Sequence, residues 1–178
     1  RARVFGDFGC VESEFKYLRK LRLEKALSTR LLLRFTYLLS KVGDDEKNIA
    51  KTILLKESVP DFDTIDPDKL DYTPINALRT ALEQLFNMQG YDEVIELYLA
   101  NLHILELEYD HNYLQSYLIV AESLLRSSEQ CKADFQAVSG ISWREWQINL
   151  FSDLYAEYEN TDAWHRQYNL HFKRYYMR

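Results

Sequence analysis

The sequence predicts an all-α protein made of antiparallel helical hairpins, arranged as a stack or as an irregular helical bundle. The chain has 178 residues with 5 glycines and 3 prolines, which are too few turn formers for a barrel or a sandwich. Apolar residues make up 47% of the chain, which excludes a disordered or low-complexity protein. Long leucine-rich stretches carry apolar residues at three- and four-residue spacing, as one face of a helix requires.

Residues 1–57 are expected to form an N-terminal arm followed by a basic helical segment. One long helix is predicted from Glu12 to Ser40, with a bend near Ser28 as a variant of that prediction. Gly43 stands where a C-terminal cap belongs. Asp44 and the two acidic residues after it suit the start of a second helix, which runs to about Lys56.

Residues 58–73 are expected to be an acidic connector. All three prolines lie between residues 60 and 74, in an interval that also holds five aspartates. Proline lacks a backbone donor and disfavours helix in the residue before it, so regular helix is not expected here. The connector precedes a helical segment over residues 74–178, and the three parts together are expected to form one compact domain.

About six helices are predicted after the connector, in antiparallel pairs with short links. The first carries Leu78, Leu82 and Leu85 on one face, and after Gly90 the helical period continues to about Glu108. The later helices are expected over residues 113–127, over residues 129–138, after a capping Ser142, and over residues 162–176.

Residues 89–98 resemble the turn and second helix of a tetratricopeptide repeat. Val94 takes the place of the small residue that these repeats favour early in that helix, and the aromatic Tyr98 follows four positions later. In the preceding helix, Leu82 and Phe86 fall where the family has a large apolar residue and an aromatic one.

The resemblance extends over about residues 76–178, and one unit carries most of it. At an offset of 37 residues, Leu82 corresponds to Ile119 and Tyr98 to Phe135, which defines a degenerate second unit. A plain helical bundle without repeats is the alternative. A stack of such repeats buries the apolar faces of neighbouring hairpins against each other and leaves a concave groove, which typically receives a peptide or a helix.

The resemblance therefore implies a non-catalytic module that binds a protein or peptide, within a larger regulatory or scaffolding protein. The last 36 residues combine aromatic side chains with arginine, the residue types that concentrate interaction energy at interfaces. A structural oligomerisation domain that forms a homodimer is an alternative, and no cofactor is expected. The residues expected to contact a partner are Tyr98, Trp164, Tyr168, Arg174, Tyr175 and Tyr176.

Charge is distributed unevenly along the chain. Residues 1–57 carry 13 Lys and Arg against 8 Asp and Glu, whereas residues 58–162 carry 5 against 20. Residues 163–178 carry 4 basic residues and no acidic one, so the net charge of −6 conceals charges of +5, −15 and +4. The acidic middle is compatible with a basic partner segment, and it disfavours a dedicated nucleic-acid binder because its field repels phosphate.

Basic residues of the predicted long helix fall within about a third of its circumference. Such a stripe suggests contact with phosphate groups and hence an affinity for nucleic acid. The alternative interpretation is that the basic helix docks on acidic helices of its own chain, which the leucines on the same side favour. The residues of this basic stripe are Lys16, Arg19, Lys20, Arg30 and Arg34.

Arg166 and His171 form an arrangement that resembles a catalytic motif. An arginine followed by four residues and a histidine is similar to the signature of HEPN-type helical ribonucleases, in which a dimer brings two motifs together to cleave RNA. The resemblance implies that His171 transfers protons and that Arg166 stabilises charge developing on the phosphate. Such a ribonuclease is the enzymatic alternative to a binding module.

Signals for metal, membrane and compartment are weak. His103 and Glu106 have a helical spacing that can ligate a metal, yet the sequence offers no second such pair, so no metal site is expected. No apolar run reaches the roughly 18 residues of a membrane span. The chain starts with Arg1, so it is expected to begin inside a longer polypeptide, and a cytoplasmic location is expected.

Overall fold

The computed structural model describes residues 11–59, 74–102 and 114–158 of the chain. These residues form eight α-helices and no strand, so the predicted all-α fold is confirmed for them. None of these helices is both long enough and apolar enough to cross a membrane. The helices are α1 (Val11–Leu23), α2 (Thr29–Leu39), α3 (Asp44–Glu57), α4 (Pro74–Asn87), α5 (Tyr91–Ala100), α6 (Leu114–Arg126), α7 (Glu129–Ser139) and α8 (Trp143–Tyr158).

The prediction of one uninterrupted helix from Glu12 to Ser40 is wrong, because the chain turns back between α1 and α2. The second helix begins at Thr29 with Ser28 as its N-cap, which is where the sequence places a bend. Lys25 adopts a left-handed conformation with a φ of 53°, which ends the first helix. Its amide donates to the carbonyl of Arg22 at 3.1 Å. The amide of Ala26 donates to the carbonyl of Leu21 at 2.9 Å, which completes the paired hydrogen bonds of a Schellman cap.

Apolar burial explains why the chain folds back at this point. Phe15 of α1 stacks on Phe35 of α2 with ring centroids 5.6 Å apart, and Leu18 is fully buried in the same cluster. A left-handed residue other than glycine costs roughly 1–2 kcal/mol. Burying one large apolar side chain contributes about 1.5–3 kcal/mol, so two such side chains outweigh the strained turn.

The link between α4 and α5 uses the same type of cap. Gln89 has a φ of 60°, and the amide of Gly90 donates to the carbonyl of Leu85 at 2.9 Å. Gly90 lies next to the ion pair between Lys51 and Glu93. In that pair, Nζ of Lys51 is 3.0 Å from a carboxylate oxygen of Glu93. A Cβ at Gly90 would lie 3.0 Å from Cε of Lys51, so a larger residue here would require the flexible ends of Lys51 and Glu93 to move slightly.

Helix α5 ends at Ala100, before the predicted end at about Glu108, and residues 103–113 lie outside the described residues. Asn101 leaves the helical conformation with a φ of −124°. Its side-chain Nδ2 donates to the carbonyl of Leu97 at 2.8 Å, the group that the next helical amide would otherwise use. This competition between the asparagine side chain and the backbone is a common way to end a helix.

Several other predicted boundaries agree with the structure, but Gly43, expected as a C-terminal cap, is the N-cap of α3, and Ser40 is the C-cap of α2. Helix α3 begins at Asp44 and helix α7 at Glu129, as the sequence predicts. Ser142 caps α8, since its Oγ accepts a hydrogen bond from the amide of Glu145 at 3.2 Å. Residues 60–73, which make up most of the predicted connector, and the predicted helix over residues 162–176 lie outside the described residues.

The chain forms two compact units, one up to Cys131 and one from Lys132 onward, so that α7 begins in the first unit and continues in the second. In the first unit α1 packs on α2, α2 on α3, and α4 on α5. Helix α4 also contacts α2 and α3, helix α6 contacts α4 and α5, and helix α3 contacts α5. The fully buried apolar side chains between α4, α5 and α6 include Leu78, Leu82, Leu85, Val94, Ile95, Val120 and Leu124.

Aromatic packing characterises the described part of the second unit. Phe135 of α7 is fully buried and meets the ring of Trp146 of α8 edge to face, with centroids 5.5 Å apart. Trp143 lies close to two cations, with Nζ of Lys132 at 5.4 Å and Cζ of Arg144 at 5.2 Å from its ring centroid. This unit therefore uses the tryptophans that the sequence places at helical spacing as packing residues.

Candidate binding cleft

A cleft of about 270 Å³ opens between α2 and α4 in the first unit. Its residues lie at three- and four-residue spacing on each helix, so each helix contributes one continuous strip of its surface. The cleft is lined by Arg30, Leu33, Arg34 and Tyr37 from α2 and by Thr80 and Gln84 from α4.

Hydrogen bonds at the base of the cleft hold the two helices together. Nε2 of Gln84 donates to the carbonyl of Leu33 at 2.9 Å. The hydroxyl of Thr36, which is fully buried, lies 2.9 Å from Oε1 of Gln84 and 2.9 Å from the carbonyl of Leu33. Because the buried hydroxyl of Thr36 and the half-buried amide of Gln84 bond to each other and to the carbonyl of Leu33, these contacts set the spacing of α2 and α4 and the cleft is preformed.

A buried carboxylate supports the cationic side of the cleft. Nε and Nη2 of Arg34 donate to the two carboxylate oxygens of Glu14 at 2.9 and 2.8 Å. The side chain of Glu14 is 3% exposed, whereas that of Arg34 is 39% exposed. These hydrogen bonds raise the pKa of Arg34 above its ordinary value, because they favour the charged guanidinium. Arg34 is therefore held in a fixed position with part of its charge facing water.

An exposed tyrosine lies among the cations at the mouth of the cleft. The side chain of Tyr37 is 43% exposed. Cζ of Arg34 lies 5.4 Å and Nζ of Lys41 lies 5.2 Å from the centroid of its ring, distances typical of cation–π contacts. Arg30, one turn before Arg34, is exposed. None of the described residues that line the cleft is acidic.

The structure places the predicted basic stripe on two helices. Because the chain turns back after α1, the five residues do not share one helix face. Lys16 pairs with Glu12 at 2.7 Å, and Nζ of Lys20 lies 3.9 Å from the carboxylate of Glu24. Arg19 is exposed on α1. Of the five stripe residues, Arg30 and Arg34 line the cleft.

The predicted partner-contact residues fall in two groups. Tyr98 is 4% exposed on the inward side of α5, where it packs in the core of the first unit and forms no part of an exposed surface. The others, together with the predicted catalytic pair Arg166 and His171, lie outside the described residues: Trp164, Tyr168, Arg174, Tyr175 and Tyr176.

Within the described ranges, no three histidine, cysteine, aspartate or glutamate side chains come together as a possible metal site. Cys131 is half-buried, and its Sγ lies 4.0 Å from the carbonyl oxygen of Asp92. The predicted pair of His103 and Glu106 lies outside the described residues.

Sequence reasoning missed Glu14, Tyr37 and Gln84 as residues of the site. The pairing of Glu14 with Arg34 depends on the turn between α1 and α2, which the periodicity does not indicate. Tyr37 does carry a usable signal, because it follows Arg30 and Arg34 at helical spacing. Gln84 is separated from Leu33 by 51 positions, so the sequence offers no sign of that hydrogen bond.

Comparison of the chain with protein-family models, with curated proteins and with solved structures finds no match.

Proposed function

We propose that this chain is a non-catalytic module that binds a segment of another protein in the cleft between α2 and α4. The observation that carries the proposal is the composition of the cleft: an exposed tyrosine, two arginines and an amide on a preformed base. Aromatic and arginine side chains in such a setting are the types that dominate recognition energy. We expect the module to serve in a regulatory or scaffolding protein.

The pattern of helix contacts supports a stack of hairpins related to tetratricopeptide repeats. Helices α2, α4 and α6 follow one another in contact, and α3 contacts α5. This pattern is what two rows of stacked helices require, with the first helix of each hairpin in one row. The cleft lies between two neighbouring helices of that row, where a stack of this type forms its groove.

Burial at corresponding positions also favours the repeat. Leu82 is fully buried and Ile119, at the offset of 37 residues, is 9% exposed. Tyr98 and Phe135, related by the same offset, are both buried. Equivalent positions therefore have equivalent packing roles, as expected of a degenerate second unit.

A peptide selection followed by affinity measurements tests this function. Random peptides displayed on phage are selected on the immobilised chain, and the enriched peptides are measured by calorimetry against two variants. Thr80→Tyr fills the cleft, whereas Thr52→Tyr makes the same change on the exposed side of α3. We expect Thr80→Tyr to weaken binding by about tenfold or more and Thr52→Tyr by less than about twofold.

Either of two results would refute the proposal. The selection enriches no peptide that binds the chain in calorimetry, or the enriched peptides bind Thr80→Tyr as tightly as the unchanged protein. Circular dichroism of both variants checks that each keeps its helical content, so that a loss of binding is not a loss of fold.

A further inference from the structure

We infer that the segment received by the cleft between α2 and α4 is acidic, and that its carboxylates are bound by Arg30 and Arg34 beside the ring of Tyr37. This inference rests on the proposed function and specifies the chemistry of the partner. It differs from the basic partner that the charge of residues 58–162 suggests, because the charge lining the cleft differs from the charge of that long segment.

Arg30 supplies the first uncompensated charge. It is exposed, it lines the cleft, and among the described residues no carboxylate forms an ion pair with it. An arginine in this position can bind a carboxylate through two parallel hydrogen bonds. A partner carboxylate therefore gains a charge-assisted contact without displacing an existing one.

Arg34 supplies a second set of donors. Its Nε and Nη2 are engaged by Glu14, which leaves the Nη1 hydrogens outside this pair. Glu14 also fixes the orientation of the guanidinium, so little side-chain entropy is lost when a second carboxylate binds. The buried acid thus positions the arginine for a ligand that approaches from the water side.

Tyr37 and its neighbours favour a peptide as the source of the carboxylates. The ring offers an apolar surface of side-chain size, and Lys41 adds a cation beside that ring. An extended peptide presents an acidic group and an apolar group on neighbouring side chains. Leu33 is the aliphatic residue among those that line the cleft.

Nucleic acid fits the observations less well. Phosphate backbones are bound by several cations in succession, with a strong dependence on salt. The basic stripe is instead divided between two helices, and Lys16 is paired with Glu12. A cleft of about 270 Å³ accommodates a few side chains, and the chain as a whole carries a charge of −6.

The test uses charge reversal and its rescue. Peptides enriched by phage display are synthesised with fluorescein, each in its selected form, with every Glu and Asp replaced by Gln and Asn, and with one acidic residue replaced by lysine. Fluorescence anisotropy measures their affinity for the unchanged chain, for Arg30→Glu and for Arg19→Glu. The last variant makes the same charge change at an exposed position on α1, outside the residues that line the cleft.

We expect the selected peptides to be rich in acidic residues. Their neutral forms, and the variant Arg30→Glu, should each weaken binding by about tenfold, and Arg19→Glu by less than about twofold. A lysine placed at the position that faces Arg30 should restore binding to Arg30→Glu.

Three outcomes would overturn the inference. If neutral or basic peptides are enriched and Thr80→Tyr abolishes their binding, the proposed function stands and the acidic partner is wrong. If Arg19→Glu and Arg30→Glu weaken binding equally, the loss of affinity reflects the net charge of the protein and not a contact in the cleft. If a fluorescein-labelled single-stranded RNA of about twelve nucleotides, within the usual range of single-strand site sizes, binds more tightly than every peptide and depends on Arg30, the ligand is nucleic acid.

Discussion

The helices α1–α3 and α4–α6 of the first unit are held together in different ways. The first three helices combine an apolar cluster around Leu18 with ion pairs between their own residues. The helices α4, α5 and α6 are joined by fully buried leucine, isoleucine and valine side chains. Two of the ion pairs described in this part of the chain join different helices, Arg22–Glu57 and Arg34–Glu14. Three others lie within about one helical turn: Lys16–Glu12, Lys20–Glu24 and Lys47–Asp44.

This difference bears on an interpretation based on charge. The contrast between +5 in residues 1–57 and −15 in residues 58–162 favours docking of a basic helix on acidic helices of the same chain. Helix α1 packs on α2, and its residues Lys16, Lys20 and Arg22 pair with acids within residues 11–57, whereas α2 contacts α4 and α3 contacts both α4 and α5. The pair between Lys51 and Glu93 does join α3 to α5. Screening over about 8–10 Å limits the attraction between distant charges, so local pairs and apolar contacts decide the packing.

The largest expected effect is on the apolar helices α4–α6. Leu82 of α4 is fully buried, so Leu82→Ala removes buried methyl groups and leaves a cavity. We expect the free energy of unfolding to fall by about 2–5 kcal/mol. Urea denaturation followed by circular dichroism measures the change.

The matched control lies in α1. Leu23 is 80% exposed, so Leu23→Ala should change the free energy of unfolding by no more than about 0.5 kcal/mol. Similar losses for the two variants would mean that burial in α4 does not distinguish these helices from the rest of the first unit.

An intermediate effect is expected at the ion pair between α1 and α2. Arg34→Leu leaves the carboxylate of Glu14 buried without its two donors, which should cost about 1–3 kcal/mol. This cost in the free energy of unfolding is smaller than for a fully buried ion pair, because the arginine side chain is 39% exposed. Glu14→Gln should cost less, since the amide oxygen still accepts a hydrogen bond and water reaches the guanidinium.

A double variant separates the pair from its surroundings. Glu14→Leu combined with Arg34→Leu should be more stable to urea than Arg34→Leu alone, because no buried charge remains unpaired. Equal costs for Arg34→Leu and Glu14→Gln, without recovery in the double variant, would contradict a buried carboxylate that depends on its partner.

The smallest expected effect concerns Asp44 at the start of α3. A hydrogen bond from Lys47, with its positive charge, lowers the pKa of Asp44 below the ordinary value of 3.8. A lowered pKa in the folded state means that the stabilisation is present above that ordinary value and is lost as the pH falls through the folded value. Asp44→Asn should therefore lower the Tm by roughly 1 °C near neutral pH, since it also removes a favourable charge from a helix N-terminus.

Thermal denaturation at several pH values tests that sign. The difference in Tm between Asp44→Asn and the unchanged protein should shrink as the pH is lowered from about 5 to about 2.5. A difference that stays constant over this range would show that the carboxylate charge has no part in it.

Much of the helix order was predictable because it depends on local signals. Asp44, Glu129 and Ser142 mark helix starts through acidic or hydroxyl side chains, and Gly90 marks a link. The turn at Lys25 was not predictable in this way, because a lysine in a left-handed conformation has no local signature. Phe15 and Phe35 lie on the two helices that flank this turn, and their rings can stack only if the chain folds back between them. The turn therefore depends on a contact between residues 20 positions apart.

The cleft was predictable only in part. The sequence singles out Arg30 and Arg34 as residues of the basic stripe. It predicts them, however, on one long helix whose cations contact phosphate groups. The turn after α1 gives Arg34 a buried partner in Glu14, and the packing of α4 against α2 adds Thr80 and Gln84. The identity of these neighbours depends on contacts between residues far apart in the sequence.

The sequence by itself determined that the chain is helical, since apolar spacing and the scarcity of glycine and proline are local properties of the backbone and side chains. It also determined most helix starts, because capping acts within one turn. Only the tertiary structure decided that α1 and α2 are separate helices and that Arg30 and Tyr37 border a cleft. Those features arise from the burial of apolar surface between distant segments, which outweighs local preference where the two conflict.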